Sequence, residues 1–474
     1  MIREISTKIK ENKLVFAINK IMNSKLMLIA IVLLAAISNV FALEIPVYYI
    51  YTFLILVAVL FCDDLISVLP MSCCGYMTFA KKNNPLATDQ TSTFLDYATI
   101  NHLIVISIII ATLLSTRIIY ELVKHKGKRN LPKLSYGFLL LGITYMLGGM
   151  FSPLYNLKTT MFGLVQIISL SFTYFCFYYT IKWEKVKKDY FAFLFCAIGG
   201  LMVIEVFNML LEAGFFTTKG AFSRSNIYTG WGINNNVAGI CVLTIPAPLY
   251  YTLTKKDGWK YILLSTLFLL STILTQSRNG MLMGTIIYSV SAIVVLIKSP
   301  KKEKIKNLIT YACLLGMLLT TFFIFNDLIK NLFSSIYKVG TSDSGRFDIY
   351  INGLKQYLQY PIFGNGFYAC EAFRWGVKTE VIFLPGRYHN TYVQILASCG
   401  TIGMLAYLFH RYQTLKLFLK SKNPGALIIF ITLFGFILIS LLDCHFHNFG
   451  PGLIYSAILL LLEKVYCYNE KESL

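Results

Sequence analysis

Charge is what this sequence has least of. Asp, Glu, Lys and Arg make up 14% of its 474 residues, where a soluble domain carries about a quarter. A large soluble enzyme is excluded on that ground. Acidic residues are the scarcer kind: 23 Asp and Glu stand against 43 Lys and Arg, a net charge of +20. The eleven cysteines contain no CxxC pair, and Cys176, Cys196, Cys241, Cys313 and Cys399 sit inside apolar runs. They read as small buried hydrophobes, not as a disulfide or zinc framework. No small-residue cleavage site follows the first apolar run, so 26–43 reads as a retained anchor. The two halves show no internal repeat.

What is present is apolar: 56% hydrophobic residues, 15% aromatic and a mean hydropathy of +0.63. That excludes disorder and predicts an all-α polytopic membrane protein. Runs near 26–43, 47–62, 64–80, 102–120, 134–151, 159–181, 190–213, 236–253, 261–275, 281–297, 308–325, 390–409, 425–442 and 449–462 give about 14 transmembrane helices. The third run is short and holds Pro70 and Ser72. With the N-terminus placed inside, 30 of the 43 Lys and Arg fall on the cytoplasmic side and 13 outside. Dropping the third run would reverse every later basic loop, so the positive-inside rule keeps it. The organisation expected is a cytoplasmic basic amphipathic segment (1–25), helices 1–11 (26–325), an extracytoplasmic loop (326–388), helices 12–14 (389–462) and a cytoplasmic tail (463–474). This topological use of charge removes the need for nucleic acid as a partner; the lipid bilayer is the partner implied.

The loop at 326–388 has 63 residues and carries seven of the 13 outside cations. It is too long for a simple connection. Asp343 or Ser344 can cap a helix through SGRFDIYINGLKQYL, with Phe347, Tyr350, Leu354 and Leu358 on one stripe. Pro361 stops it, and Gly364 and Gly366 make a turn. The aromatics that follow read as a small hydrophobic core or as a sugar platform.

Four polar features share the outer level. Arg224 precedes the eighth run, Arg278 sits in a tight turn, Arg346 opens the loop helix, and Arg387 and His389 begin the twelfth run. Guanidinium groups suit phosphate because they give planar, charge-assisted hydrogen bonds. Several at one mouth can hold a pyrophosphate and stabilise it as it leaves. A histidine beside them can take a proton from an acceptor hydroxyl. Taken singly, each outer arginine also reads as an interfacial anchor, and His389 as a capping or buried histidine. Glu205 lies mid-span, where a carboxylate is costly. It reads equally as a cavity residue or as a buried hydrogen-bonded group. Asp443, His445 and His447 in DCHFHNFG have a pattern that metals use, but they read better as residues lining the acceptor side or an outer turn.

Arranged in order, the pieces are Arg224 with Gly232, Asn235 and Asn236; Ser277-Arg278-x-Gly280; Ser-Gly-Arg346; Pro361, Gly364 and Gly366; and His389, Asn390 and Gln394 followed by Gly400 and Gly403. Over roughly 220–410 the chain thereby resembles the O-antigen ligase and polymerase family of bacterial membrane proteins. The resemblance implies a metal-independent, cofactor-free glycosyltransferase on the outer face of the inner membrane. Its donor would be a glycan on undecaprenyl pyrophosphate, and its acceptor another lipid-linked glycan (polymerase) or lipid A-core (ligase). By the same resemblance Arg224 and Arg278 would contact the pyrophosphate, His389 would be the base, and Arg346 would position the donor or order the loop. Arg387 joins on proximity alone. Asn235, Asn236, Asn390, Gln394 and Glu205 are the expected supporting residues. A polymerase is favoured over a ligase. The alternative from another class is a flippase or exporter of lipid-linked oligosaccharide.

Overall fold

The computed structural model describes residues 13–41, 43–75, 97–124, 131–212, 214, 228–229, 232–332, 346–367, 388–421 and 423–467. Arg224 and Arg387 lie outside the described residues.

The apolar runs form helices. The first part of the chain gives α1 (Lys13–Met22), α2 (Lys25–Phe41), α3 (Glu44–Phe61), α4 (Val68–Cys74), α5 (Tyr97–Lys124), α6 (Ser135–Leu147), α7 (Leu157–Thr180) and α8 (Tyr190–Glu212). A minimal antiparallel ladder, β1 (Tyr228–Thr229) with β2 (Gly232–Ile233), leads into α9 (Asn234–Thr244) and α10 (Ala247–Thr254). Then come α11 (Lys260–Leu274), α12 (Arg278–Lys298), α13 (Lys301–Ile324), α14 (Asn326–Leu332) and the loop helix α15 (Arg346–Gln359). The last three are α16 (Thr391–Lys420), α17 (Pro424–Ser440) and α18 (Phe449–Leu461). Exposed Leu and Ile side chains ring the bundle, and the α9–α10 segment is buried almost throughout. This is the arrangement expected where lipid, not water, is the outer solvent.

Seven helices among the described residues are long and apolar enough to cross a bilayer, eight if α1 and α2, bent by 60°, are one span. The helices α3, α6, α11 and α17 are apolar but shorter. The sequence count of fourteen is therefore not reproduced by helix length. Part of the reason is local: α11 has 15 residues, α17 has 17 and α18 has 13. All three have one end at the candidate site described below.

The third run gives only the seven-residue α4 among the described residues, too short to span. Tyr49 of α3 bonds His102 of α5 (2.7 Å), and Arg117 of α5 donates to the Val59 carbonyl (3.1 Å). Both contacts advance together, so α3 and α5 run parallel.

Two expected boundaries shift. The twelfth run was expected to end at 409, but α16 continues to Lys420 and takes His410 and Arg411 into the bundle. The final helix continues as a π turn through Tyr466, so Glu463 is not in a tail. It is buried, and it accepts from Tyr174 Oη and from the Lys133 backbone N–H.

Candidate functional site

The site begins at the exposed backbone of one helix end. The last carbonyls of a helix have no partner within it. For α17 they are taken up by three distant segments. Asn279 Nδ2 donates to Ile439 O (3.4 Å), Asn390 Nδ2 to Leu441 O (2.8 Å) and Arg346 Nη1 to Leu442 O (2.6 Å). These residues come from the starts of α12, α15 and α16. A fourth helix start joins them, because Ser277 Oγ donates to Asn235 Oδ1 of α9 (2.8 Å). A fifth does too, because Asn448, which precedes α18, donates to Asn236 Oδ1 (3.4 Å). Five helix N-termini thus gather round one C-terminus. Each carries partial positive charge, which favours an anion.

Arg278 and His389 are on this same end of the bundle. Arg278 is the first residue of α12, behind the N-cap Ser277, whose side chain accepts from Gly280 N–H. His389 sits immediately before Asn390, the N-cap of α16, whose Oδ1 accepts from the N–H groups of Tyr392 and Val393. His389 has φ of +51°, a left-handed conformation that costs on the order of 1–3 kcal/mol outside glycine. The Tyr350 hydroxyl holds it by donating to the His389 carbonyl (3.1 Å).

The imidazole has a partner that the sequence reading did not assign. His389 Nδ1 lies 3.4 Å from Asp443 Oδ1; the His389 side chain is 38% exposed and that of Asp443 9%. Burial alone would push the Asp443 carboxyl up. The hydrogen bond from His389, attraction to the His445 and His389 rings when these are protonated, and the Cys444 N–H (2.7 Å) together hold it well below the usual carboxylate range. An ionised Asp443 keeps the proton on Nδ1 and leaves the Nε2 lone pair for a proton from outside. Among the described residues Nε2 has no hydrogen-bond partner.

The two glycine motifs serve this geometry. Gly400 has φ of +64° and breaks the ladder of α16, and Gly364 of the loop has φ of +70°. The loop 361–366 fits into the break. Asn365 N–H donates to Ala397 O (2.7 Å), Gly366 N–H to Ser398 O (3.0 Å) and Thr401 N–H to Pro361 O (2.8 Å). A Cβ on Gly400 would stand 2.3 Å from Ile362 O. Phe367 then reaches between α6 and α7, against Gly163 and the Tyr145 ring (4.6 Å between centroids).

The floor of the site is recessed. Gly452 of α18 packs on Leu170, and Ser456 Oγ donates to Leu170 O (3.0 Å). Leu170 is thirteen residues below the start of α7, about 20 Å of helix, while Gly452 is only about 5 Å below the start of α18. The turn at His445–His447 therefore lies about 15 Å below the top of α7, measured along the helices.

The remaining expected residues divide. Gln394 is buried and ties the site together: it accepts from the Tyr388 N–H (3.2 Å) and donates to Ser398 Oγ (2.9 Å). Glu205 is buried on α8, outside the hydrogen bonds just described. The trio Asp443, His445 and His447 diverges: Asp443 faces His389, His445 packs on Gly239 of α9, and His447 bonds the Tyr145 hydroxyl (2.7 Å). No group of three metal-ligating side chains occurs among the described residues. The apolar stripe expected on α15 is not buried either, since Phe347, Leu354 and Leu358 are exposed.

Sequence reasoning also missed Arg411. It was counted among cytoplasmic loop charges, yet its guanidinium donates to the hydroxyls of Tyr455 (2.9 Å) and Tyr407 (2.5 Å). It also lies 5.8 Å from the Phe446 ring, between His445 and His447. Only the fold brings these rings together, and no spacing in the sequence signals it.

Residues 263–408 match a family model described as O-antigen ligase. The matched segment contains Arg278, Arg346, His389, Asn390, Gln394 and both glycine motifs. Asn235, Asn236 and Asp443 fall outside it. No curated protein matches the chain. The matched segment spans α12, α15 and the start of α16, and over it the chain is similar to the O-antigen ligase family.

Proposed function

We propose that the protein is a glycosyltransferase that moves a glycan from undecaprenyl pyrophosphate to an acceptor hydroxyl. The site faces the outside of the bacterial plasma membrane, and both termini are cytoplasmic. The observation that carries this reading is the His389–Asp443 pair set among converging helix N-termini with Arg278 and Arg346 on the same end. His389 Nε2 takes the acceptor hydroxyl proton as the oxygen attacks the anomeric carbon. The bond from that carbon to the pyrophosphate oxygen breaks, and undecaprenyl pyrophosphate leaves with the electron pair. One displacement inverts the anomeric centre.

Arginine side chains and helix dipoles offset the charge that develops on the leaving group. Arg278 serves this role, and Arg346 orders the loop by its bond to Leu442. Arg224 and Arg387 are proposed as further pyrophosphate contacts. The reaction needs no cofactor, and the pyrophosphate bond supplies the driving force. Asn235, Asn236, Asn390 and Gln394 position these groups, and Glu205 lines the cavity wall.

A polymerase acting on lipid-linked repeats is the reading preferred over transfer to lipid A-core. Purified protein in liposomes with lipid-linked repeat units tests both the enzyme and the acceptor. Lengthened glycan with release of polyprenyl pyrophosphate supports a polymerase. Transfer only onto added lipid A-core makes it a ligase. Translocation without new glycosidic bonds makes it a transporter and overturns the proposal.

A further inference from the structure

The end of the bundle opposite the candidate site carries a groove of about 730 Å³. It is formed where α1 bends 60° from α2 and meets the connection between α7 and α8. Its inner wall is apolar: Met22, Leu28 and Pro70 line it and are buried. Its rim is cationic, with Lys20, Lys25, Lys182, Lys185 and Lys187.

Two of these lysines are engaged. Lys25 pairs with Asp189 (3.2 Å) and lies over the Phe193 ring (4.6 Å), and Lys182 pairs with Asp63 (3.1 Å). The third carboxylate of the groove, Asp64, accepts from the backbone N–H groups of Ile66 (3.0 Å) and Lys182 (3.3 Å). Lys20, Lys185 and Lys187 are exposed and have no carboxylate partner among the described residues. Beside them Leu14, Phe16 and Ile21 of α1 are more than 60% exposed, as on a helix that lies in a membrane interface with its apolar side in the acyl region.

An apolar wall under three cations without a carboxylate partner among the described residues matches an amphiphile with an anionic head. We propose that this groove binds the phosphate headgroup of an anionic phospholipid, with the acyl chains running along Met22, Leu28 and Pro70. The paired lysines hold the two walls at their separation, and the other three contact the phosphate. This site is separate from the glycosyl-transfer site and does not depend on that reading.

Native mass spectrometry of the full chain, titrated with phosphatidylglycerol or phosphatidylcholine of the same acyl composition, tests it. Phosphatidylglycerol is expected to bind at least about tenfold more tightly, since each lysine near an anionic lipid contributes roughly a fivefold preference. The variant Lys20→Gln/Lys185→Gln/Lys187→Gln loses that preference. The variant Lys20→Arg/Lys185→Arg/Lys187→Arg keeps it, which separates charge from fold. An undiminished preference in the glutamine variant overturns the proposal. So does displacement of the lipid by inorganic phosphate at equal concentration, which would assign the groove to a free phosphate.

Discussion

At the lysine-rich end of the bundle, cations meet carboxylates at the surface: Lys182 with Asp63 at 3.1 Å, and Lys25 with Asp189 at 3.2 Å, all four side chains partly exposed. At the other end Arg346 is bonded to a backbone carbonyl, and Asp443, a carboxylate paired with an imidazole, is buried. The two ends use similar residues for different purposes. Exposed pairs in high dielectric are worth only about 0–1 kcal/mol, and the topology proposed here gives these cations the role of orienting the chain. At the other end several helix N-termini converge on the end of α17, an arrangement that favours an anion. Position, not residue type, separates an orienting cation from a binding one.

Substitutions at the two ends sharpen the contrast. The largest effect is expected for His389→Ala, which should lower kcat for glycan transfer by roughly 10²–10⁴-fold and lower the melting temperature only by what its pairing with Asp443 contributes. Next is Arg278→Ala. It should weaken donor binding and transfer by on the order of tenfold to a hundredfold, the loss of a charge-assisted hydrogen bond of about 1.5–3 kcal/mol. Lipid-linked donor titration and initial rates check it.

Gly400→Ala acts on the fold. A Cβ there meets Ile362 O at 2.3 Å, and φ is +64°. A destabilisation of about 1–3 kcal/mol is expected, read as a lower melting temperature with activity lost in parallel. The smallest effect belongs to the lysine-rich end. Lys182→Ala should change stability by within about 0.5 kcal/mol and leave transfer unaltered. A large loss of activity there would break the comparison.

The Asp443 pair also has a pH signature. Its carboxyl is held below its unfolded value by the causes given above. The pair therefore contributes stability that is complete above the ordinary carboxylate pKa of about 4 and is lost as pH falls below it. The melting-temperature difference between wild type and Asp443→Asn should be full at about pH 7 and shrink as pH is lowered through about 4. A difference that grew on acidification would contradict the assignment.

Much of this was legible in the sequence because it is local. Apolar runs become helices, and Pro361 follows the end of α15. Arg278, Arg346 and His389, expected at one level, share one end of the bundle. What was not legible is tertiary. Asp443 lies 54 residues from His389, in a stretch whose pattern suggested a metal site, and only the turn after α17 directs it to the imidazole. Gly364 reads as a turn residue and Gly400 as a motif glycine in the twelfth run, whereas each makes room for the other's backbone. Arg411 reads as a loop charge because hydropathy does not reveal that aromatic rings surround it. The fourteen spans expected from the apolar runs are not reproduced by helix length, in part because α11, α17 and α18 have only 15, 17 and 13 residues.

The central claim is that His389 and Asp443 act as one unit in glycan transfer. Its most direct test is a double-mutant cycle on kcat for purified protein in liposomes, with His389→Ala, Asp443→Asn and the double variant. If the carboxylate works only through the imidazole, the double variant is no slower than His389→Ala alone. Losses that multiply, so that the double variant falls below His389→Ala by the full factor of Asp443→Asn, would contradict the account.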